Sequence, residues 1–354
     1  IREMGSGYKT NAVYGGRSGS RDKIDLQHTP AILIGTPGRV ADHIRRSNIN
    51  TRFIETLVLD EFDKSLEVGF EEEMMEIVLP LINLEKKILT SATQGVEIPE
   101  FIELNDPIII NYLDEGVSDL EIKLVISPEK DKLETLGKLV SHLGDEPGII
   151  FSNYKDSINR ISEYLSSQGI NHGCFYGGLE QMERERALVM FRNGTHRLLI
   201  ATDLAARGID VPEIKYIIHY HLPHREEEFI HRNGRTARMN AEGKAFVLKW
   251  EYEELPDFIK SKNIENILPA SPPNQTDWTT IMISAGRRDN ISKGDVAGFL
   301  FKQGNVNRDE VGIIELKQSC AFAAVKKQIS KPLIDKTDNQ RIKKTKVRVS
   351  EIES

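Results

Sequence analysis

Short apolar runs alternate with stretches of mixed polarity from the start of the chain to about residue 250. Ala31–Ile34, Thr56–Leu59, Lys87–Thr90 and Ile108–Ile110 predict buried parallel strands within residues 1–115, with a helix over Phe70–Leu84 between them. The first residues read as the tail of a helix. Residues 116–250 repeat the scheme, with strands at Ile122–Ile126, Gly148–Phe151, Cys174–Tyr176, Leu198–Ala201 and Tyr216–His219. Helices are predicted near Lys130–His142, Ile158–Ser167 and Met182–Arg192. This alternation predicts doubly wound α/β domains. Segment 251–277 is acidic and is broken by Pro269 and Pro272-Pro273, which predicts a helix followed by a linker. Over 278–354 the order becomes β-α-β-β-α-β, with strands at Thr280–Ile283, Val311–Leu316, Ala321–Val325 and Val347–Val349, and helices at Gly294–Lys302 and within Val325–Ile334.

The chain has 354 residues, 39% hydrophobic and 29% charged, enough for two or three domains of ordinary globular composition. No run approaches the ~18 apolar residues of a membrane span and no basic-then-apolar leader opens the sequence, so a cytoplasmic protein without a membrane partner is expected. Two cysteines, Cys174 and Cys320, exclude a disulfide scaffold and a four-thiolate zinc site. The net charge of −7 is unevenly spread. Residues 278–354 carry 15 Lys and Arg against 9 Asp and Glu, whereas the preceding part carries 32 against 45. A basic end on an acidic body fits a tail that meets a polyanion, though a solvated face would have the same balance. The run Arg341–Arg348, five basic residues in eight with no acid, favours the polyanion.

Two segments carry candidate chemistry. Asp60-Glu61-Phe62-Asp63 closes an apolar strand, where paired carboxylates suit a hydrated magnesium and a water to be activated; a plain acidic turn accounts for it equally well. His231-Arg232-Asn233-Gly234-Arg235-Thr236-Ala237-Arg238 places three arginines on one short segment, where they repel unless an anion joins them, and guanidinium forks suit phosphate oxygens. Together they read as two halves of one phosphoryl-transfer site supplied by two domains. Ala201–Asp210 is a further specific segment, while Ser91-Ala92-Thr93, Thr36-Pro37-Gly38-Arg39 and Tyr14-Gly15-Gly16 are weak alone. His219, His221, His224 and His231 lie close in sequence, but they have no nearby cysteine or suitably spaced acid, which argues against zinc.

In this order and spacing, residues 1 to about 250 resemble the DEAD-box family of ATP-dependent RNA helicases. The resemblance implies two RecA-like domains, the first partial and the second complete, with ATP and magnesium between them and RNA across both. It implies that Asp60 holds magnesium through water and that Glu61 positions or deprotonates the attacking water. Asp63 would link through Ser91 and Thr93 to the domain interface, and His231 would tie the arginine segment to the carboxylate loop. Gly208 and Asp210 would meet the nucleotide, Asp210 at its ribose, with Arg235 and Arg238 as arginine fingers. RNA phosphates would be met by Gly15, Gly16, Thr36, Pro37, Gly38, Arg39, Gln181, Arg184 and Thr202. Phe62 replaces the family's usual alanine, and a packing effect is expected there.

The tail resembles the RNA-binding domain of DbpA-type helicases through Ser284-Ala285-Gly286-Arg287-Arg288 and Lys293–Gly298, which implies an RRM-like α+β fold and structured ribosomal RNA as partner. Phe322 is the one aromatic candidate for a stacking platform on the third strand, so contact through basic edges and Lys343, Lys344, Lys346 and Arg348 is expected instead. The family's adenine-reading motif and its glycine-rich phosphate loop with lysine are expected upstream of Ile1. The chain therefore reads as a monomeric fragment of a helicase engaged in large-subunit assembly, inactive alone. A non-catalytic RNA-binding protein or chaperone and a DNA translocase are the rival readings.

Overall fold

In the computed structural model the described residues are 7–16, 19–67, 69–91, 97–111, 120–203, 214–236 and 243–352. The chain divides into two compact units, Ile1–Gly116 and Val117–Ser354. In the first, β1 (Thr10–Val13), α1 (Gly19–Leu26), β2 (Ile32–Gly35) and α2 (Pro37–Arg45) precede β3 (Thr56–Leu59), α3 (Phe62–Glu67), α4 (Glu71–Val78) and β4 (Lys86–Leu89). β1 pairs with β2 and β3 with β4, both in parallel. Ala41, Ile77 and Leu81 centre a small core, with Leu57 and Leu84 packed on it.

Several sequence expectations fail in this unit. Residues 1–6, read as a helical tail, lie outside the described residues, and Thr10–Val13 is a strand. The helix expected over Phe70–Leu84 ends at Val78. The strands are only half covered: Ile34 is 48% exposed, Val58 55% and Ile88 37%. Alternate residues face α2 and α4, while the other face has no cover among the described residues. Ile108–Ile110 forms no strand and is almost fully exposed, since no described strand lies beside it to take its hydrogen bonds.

The second unit begins with β5 (Leu120–Ser127), α5 (Leu133–Leu143), β6 (Gly148–Phe151), α6 (Lys155–Ser167), β7 (His172–Phe175), α7 (Gln181–Arg192), β8 (Leu198–Ala201), β9 (Tyr216–His219), α8 (Glu226–Asn233) and β10 (Gly243–Trp250). The strands form one parallel sheet in the order β5-β10-β9-β6-β8-β7. β10 escaped the sequence reading. One face carries Leu136, Leu139, Ile158, Ile161 and Leu165 of α5 and α6, buried on Val125, Ile150 and Ile218. The other carries Phe191 of α7 on Ile149, Phe151 and Leu199. Both faces are covered, which is why β6, β8 and β9 are continuous apolar runs. The chain passes from β6 to β7 on one side and from β9 to β10 on the other, so the strand order reverses between β6 and β9.

Segment 251–277 contains no helix, contrary to expectation. It runs extended along the edge strand β5: Leu124 N donates to Asn263 O at 2.7 Å and Glu265 N donates to Leu124 O at 2.8 Å. Glu265 also takes Lys123 at 2.6 Å and His142 at 3.1 Å. An open sheet edge invites aberrant pairing, and this strap occupies it.

The tail holds β11 (Trp278–Ile283), α9 (Lys293–Lys302), β12 (Val311–Leu316), β13 (Ala321–Lys326), α10 (Lys327–Thr337), a small hairpin of β14 (Arg341–Ile342) and β15 (Thr345–Lys346), and β16 (Val349–Glu351). Its antiparallel sheet has the order β12-β13-β11-β16, the split βαβ arrangement expected. The closing strand sits at Val349–Glu351 rather than Val347–Val349, because the hairpin takes up the preceding residues. α9 starts at a capping box in which Ser292 Oγ accepts from Asp295 N.

Gly148 shows how tightly the parallel sheet is packed. A Cβ there would lie 2.1 Å from the ring of buried Tyr216. Gly148→Ala is expected to destabilise the second unit by about 1–3 kcal/mol through overpacking, read as a lower urea midpoint at unchanged slope.

Candidate active site

The acidic segment begins where β3 ends. Leu59 O accepts from Thr90 N at 3.0 Å, which brings the end of β4 beside the turn. Thr90 Oγ1 donates to Asp60 Oδ1 at 2.6 Å and accepts from Glu61 N at 3.1 Å, while Phe62 N donates to Thr90 O at 3.1 Å. One threonine thus fixes three consecutive residues of the turn. The sequence reading nominated its neighbours Ser91 and Thr93 and passed over Thr90. Glu61 has φ 48°, the left-handed region, so the turn is sharp. Asp60 is exposed, Asp63 is 3% exposed and Phe62 is 5% exposed. Phe62 is therefore buried, between half-buried Glu61 and buried Asp63. Ser91 is half-buried and Thr93 lies outside the described residues.

The two weak motifs of the first unit meet at adjacent strand ends. Val13 of β1 is in register with Gly35 of β2, so Gly15-Gly16 and Thr36-Pro37-Gly38-Arg39 follow neighbouring carboxyl ends. Thr36 N donates to Val13 O at 3.2 Å and Arg39 Nε donates to Tyr14 O at 3.3 Å. Gly16 has φ +78°, which a glycine adopts without strain. Thr36 is the N-cap residue of α2, with Pro37 at its first position. Fully buried Asp22 lies 3.4 Å from Arg39 Nε and 3.5 Å from His43 Nε2, which holds the arginine in place. Neither Asp22 nor His43 carried a sequence signal.

In the second unit His231, Arg232 and Asn233 end α8, and Arg232 meets groups at the carboxyl ends of β6, β8 and β9, where the strand order reverses. Open α/β sheets bind ligands in that crevice. Arg232 is 1% exposed. Its Nε and one terminal nitrogen donate to the two oxygens of Asp203 at 2.6 Å each. It also donates to Asn153 Oδ1 at 2.7 Å and to His221 O at 2.8 Å, and stacks 5.3 Å above the Phe151 ring. The sequence reading required an anion to join three arginines. For Arg232 that anion is the protein's own Asp203. Arg235 is half-buried, and Thr236 behind it donates to Ile214 O at 2.6 Å. His231 is half-buried on the same helix. Gly208, Asp210 and Arg238 lie outside the described residues.

The nearby histidines have protein partners. His219 Nε2 meets Asn233 Oδ1 at 3.0 Å, His221 Nδ1 accepts from Asn153 N at 3.3 Å, and His224 Nε2 meets Asn153 Nδ2 at 3.0 Å. Burial, then the Arg232 charge, lowers His219 to about 3, and burial, then Lys132 and Arg232, lowers His221 to about 4. Both rings are neutral at physiological pH. Gln181 and Arg184 lie on the first turns of α7, which opens on a capping box between Glu180 and Glu183. Thr202 follows β8, its N–H donating to Phe175 O at 3.3 Å.

The chain matches a DEAD/DEAH box helicase domain over residues 1–101, a helicase conserved C-terminal domain over 131–240 and a DbpA RNA binding domain over 280–351. It is 35% identical over 274 residues to the ATP-dependent RNA helicase FAL1 of Lodderomyces elongisporus, covering 76% of this chain and 69% of that protein. The chain belongs to the DEAD-box helicase family. The ATP-dependent RNA helicase DbpA of Bacillus subtilis is 28% identical over 351 residues, 90% of this chain and 73% of that protein. Among solved structures, Saccharomyces cerevisiae Dbp5 bound to RNA and ADP BeF3 superimposes with a TM-score of 0.59 at 23% identity, over 69% of this chain. The chain spans 64% of that structure, a likeness that bears on the RecA-like fold.

The tail's basic residues differ in their engagements within this DEAD-box chain. Lys343 Nζ is 2.6 Å from Asp295 and donates to Asn290 O at 2.8 Å, and Arg348 Nε is 3.0 Å from Asp338. Lys344 and Lys346 are exposed. Lys343, with the Ser292 hydroxyl and N–H, lowers Asp295 to about 2.

Two outcomes are expected. Asp203→Ala leaves a buried guanidinium uncompensated and is expected to cost about 3 kcal/mol in urea denaturation, with Asp203→Asn intermediate. The Asp295 pair stabilises the tail fully above the ordinary carboxylate range, and this contribution is lost as pH falls through about 2. Lys343→Ala is expected to move the Asp295 titration up toward the ordinary value, followed by NMR.

Proposed function

We propose that this chain works in an ATP-dependent RNA helicase that locally unwinds or remodels structured RNA, ribosomal RNA during large-subunit assembly. The observation that carries the reading is the locked Arg232. It fixes α8 against the strand ends, and Arg235, which follows the helix, is assigned together with Arg238 to the phosphate. On this reading Glu61 accepts a proton from a water whose oxygen attacks the γ-phosphorus. The bond from that phosphorus to the bridging oxygen breaks, and ADP leaves with the electron pair. Arg235 and Arg238 meet the charge on the transferring group.

Exposed Asp60, with one oxygen held by Thr90, suits a hydrated magnesium at the end of β3, where the ion would neutralise phosphate charge. Asp63, Ser91, Thr93 and His231 are assigned to coupling, and Gly208 and Asp210 to the nucleotide. Gly15, Gly16, Thr36–Arg39, Gln181, Arg184 and Thr202 are assigned to RNA phosphates. The meeting of the first two segments at adjacent strand ends supports that assignment. Residues 1–354 contain no Gly-Lys-Thr or Gly-Lys-Ser loop. ATP binding by these residues alone is therefore assigned as weak, and cytoplasmic, monomeric action as the setting.

In the helicase with its phosphate loop, Arg235→Ala and Arg238→Ala are each expected to lower RNA-stimulated phosphate release by about 10³-fold or more. Glu61→Gln is expected to stop turnover while prolonging the ATP- and RNA-bound state. Near-normal phosphate release in all three variants would overturn the assignment, and stimulation by DNA equal to that by RNA would favour a translocase.

A further inference from the structure

The tail's sheet has two faces, and both are covered. One lies on α9 and α10, burying Ile281, Ala323 and Val325. The other presents Phe322 and Met282, joined by Ile352 just past β16, and lies against Val189 and Met190 of α7. A polar frame surrounds this contact. Thr280 Oγ1 meets Thr195 Oγ1 at 2.7 Å and accepts from Asn193 Nδ2 at 3.3 Å; both partners are buried. Arg192 lies 3.2 Å from Glu315, and Thr276 Oγ1 donates to Gly194 O at 2.6 Å. Phe322 is 5% exposed, so the one aromatic side chain that might have stacked on a base is enclosed between sheet and helix.

The strand ends beside this seam are basic. Register places three connections at one end of the sheet: the residues after Ile283, the turn between Leu316 and Ala321, and the approach to Val349. Arg287 N donates to Lys317 O at 3.0 Å, Arg288 N donates to Gln318 O at 2.9 Å, and Arg348 N donates to Ser284 Oγ at 2.7 Å. Arg287, Arg288 and Arg348 are exposed and Lys317 is half-buried. The same turn reaches α7: burial, then Glu185, raises the Cys320 thiol, while Lys317 and Arg186 oppose them. Arg184 lies on α7 just before these residues, and its buried Nε has no acceptor among the described residues.

We infer that the tail is a fixed extension of α7 and that one RNA strand crosses the seam, its phosphates passing from Gln181 and Arg184 onto a rim of Lys317, Arg287, Arg288 and Arg348. This rests on the RNA-helicase reading above and adds a surface to it. The enclosed sheet face takes no part, and the basic run at Arg341–Arg348 contributes through Arg348, where it joins the rim. Because α7 carries both the proposed RNA contact and the seam, RNA held by the tail has a set direction relative to that contact.

The test uses the full chain and a fluorescein-labelled oligouridylate of about 20 nucleotides, longer than a single small domain's usual footprint. Arg287→Ala/Arg288→Ala/Lys317→Ala is expected to weaken binding at least tenfold. It should also flatten the slope of log affinity against log salt by about 2, since each lost phosphate contact on a single strand removes about 0.7. Adding Arg184→Ala should flatten it by a further ~0.7 on the same oligonucleotide. Phe322→Leu should stay within twofold of the unmodified chain. The inference is overturned by an unchanged slope in the triple variant, by no further change on adding Arg184→Ala, or by a loss with Phe322→Leu equal to that of the triple variant. Failure of the unmodified chain to bind the oligonucleotide would instead remove the RNA-helicase reading on which the inference rests.

Discussion

A guanidinium shut away from water has to be neutralised where it lies, and the second unit's crevice is organised around that requirement at Arg232. Asp203 from the end of β8, Asn153 from the end of β6 and the carbonyl of His221 after β9 each take a share of its donors. Three strand ends and one helix are thereby pinned to a single side chain. The bare ion pair would gain little against its desolvation; the added hydrogen bonds make it hold. The neutral histidines follow from the same charge and burial, since a second cation beside Arg232 would go unpaired.

The carboxylate turn of the first unit rests on a smaller device of the same kind. Thr90 donates to Asp60 and accepts from the N–H of Glu61, so a neutral hydroxyl orders a turn that carries three carboxylates. Phe62 suits this turn because the backbone directs its ring inward while Asp60 stays exposed. A larger side chain in the motif is therefore accommodated in the interior.

The joint between α7 and the tail shows a different constraint. A sheet with helices on one face leaves the other apolar face to be buried by something. Val189 and Met190 of α7 supply that cover, with Thr195 and Asn193 satisfying the enclosed Thr280 hydroxyl. Burial of the sheet face leaves the exposed charge of the tail at the strand ends.

The α/β alternation, the split βαβ tail, and the acidic and arginine segments were legible in the sequence because each is written in a local period or in adjacent residues. Strands β3, β6, β8, β9 and β12 fell where their apolar runs placed them, since each run is written in adjacent residues. The sequence also sufficed to point to the DEAD-box family. Ile108–Ile110 misled, because an apolar run becomes a strand only when a neighbour takes its hydrogen bonds. Segment 251–277 misled similarly: its backbone groups are satisfied by β5 rather than by a helix of its own. Thr90, Asp22 and Asn153 left no signal, as each acts on a partner 17 to 79 positions away, and Asp203 stood in a specific segment that did not name its partner. That Arg232 is the arginine shut inside, and that the tail's second sheet face is covered by α7, were decided by tertiary packing alone. Charge and hydrogen bonding act through space, and spacing along the chain does not record which groups folding brings within reach.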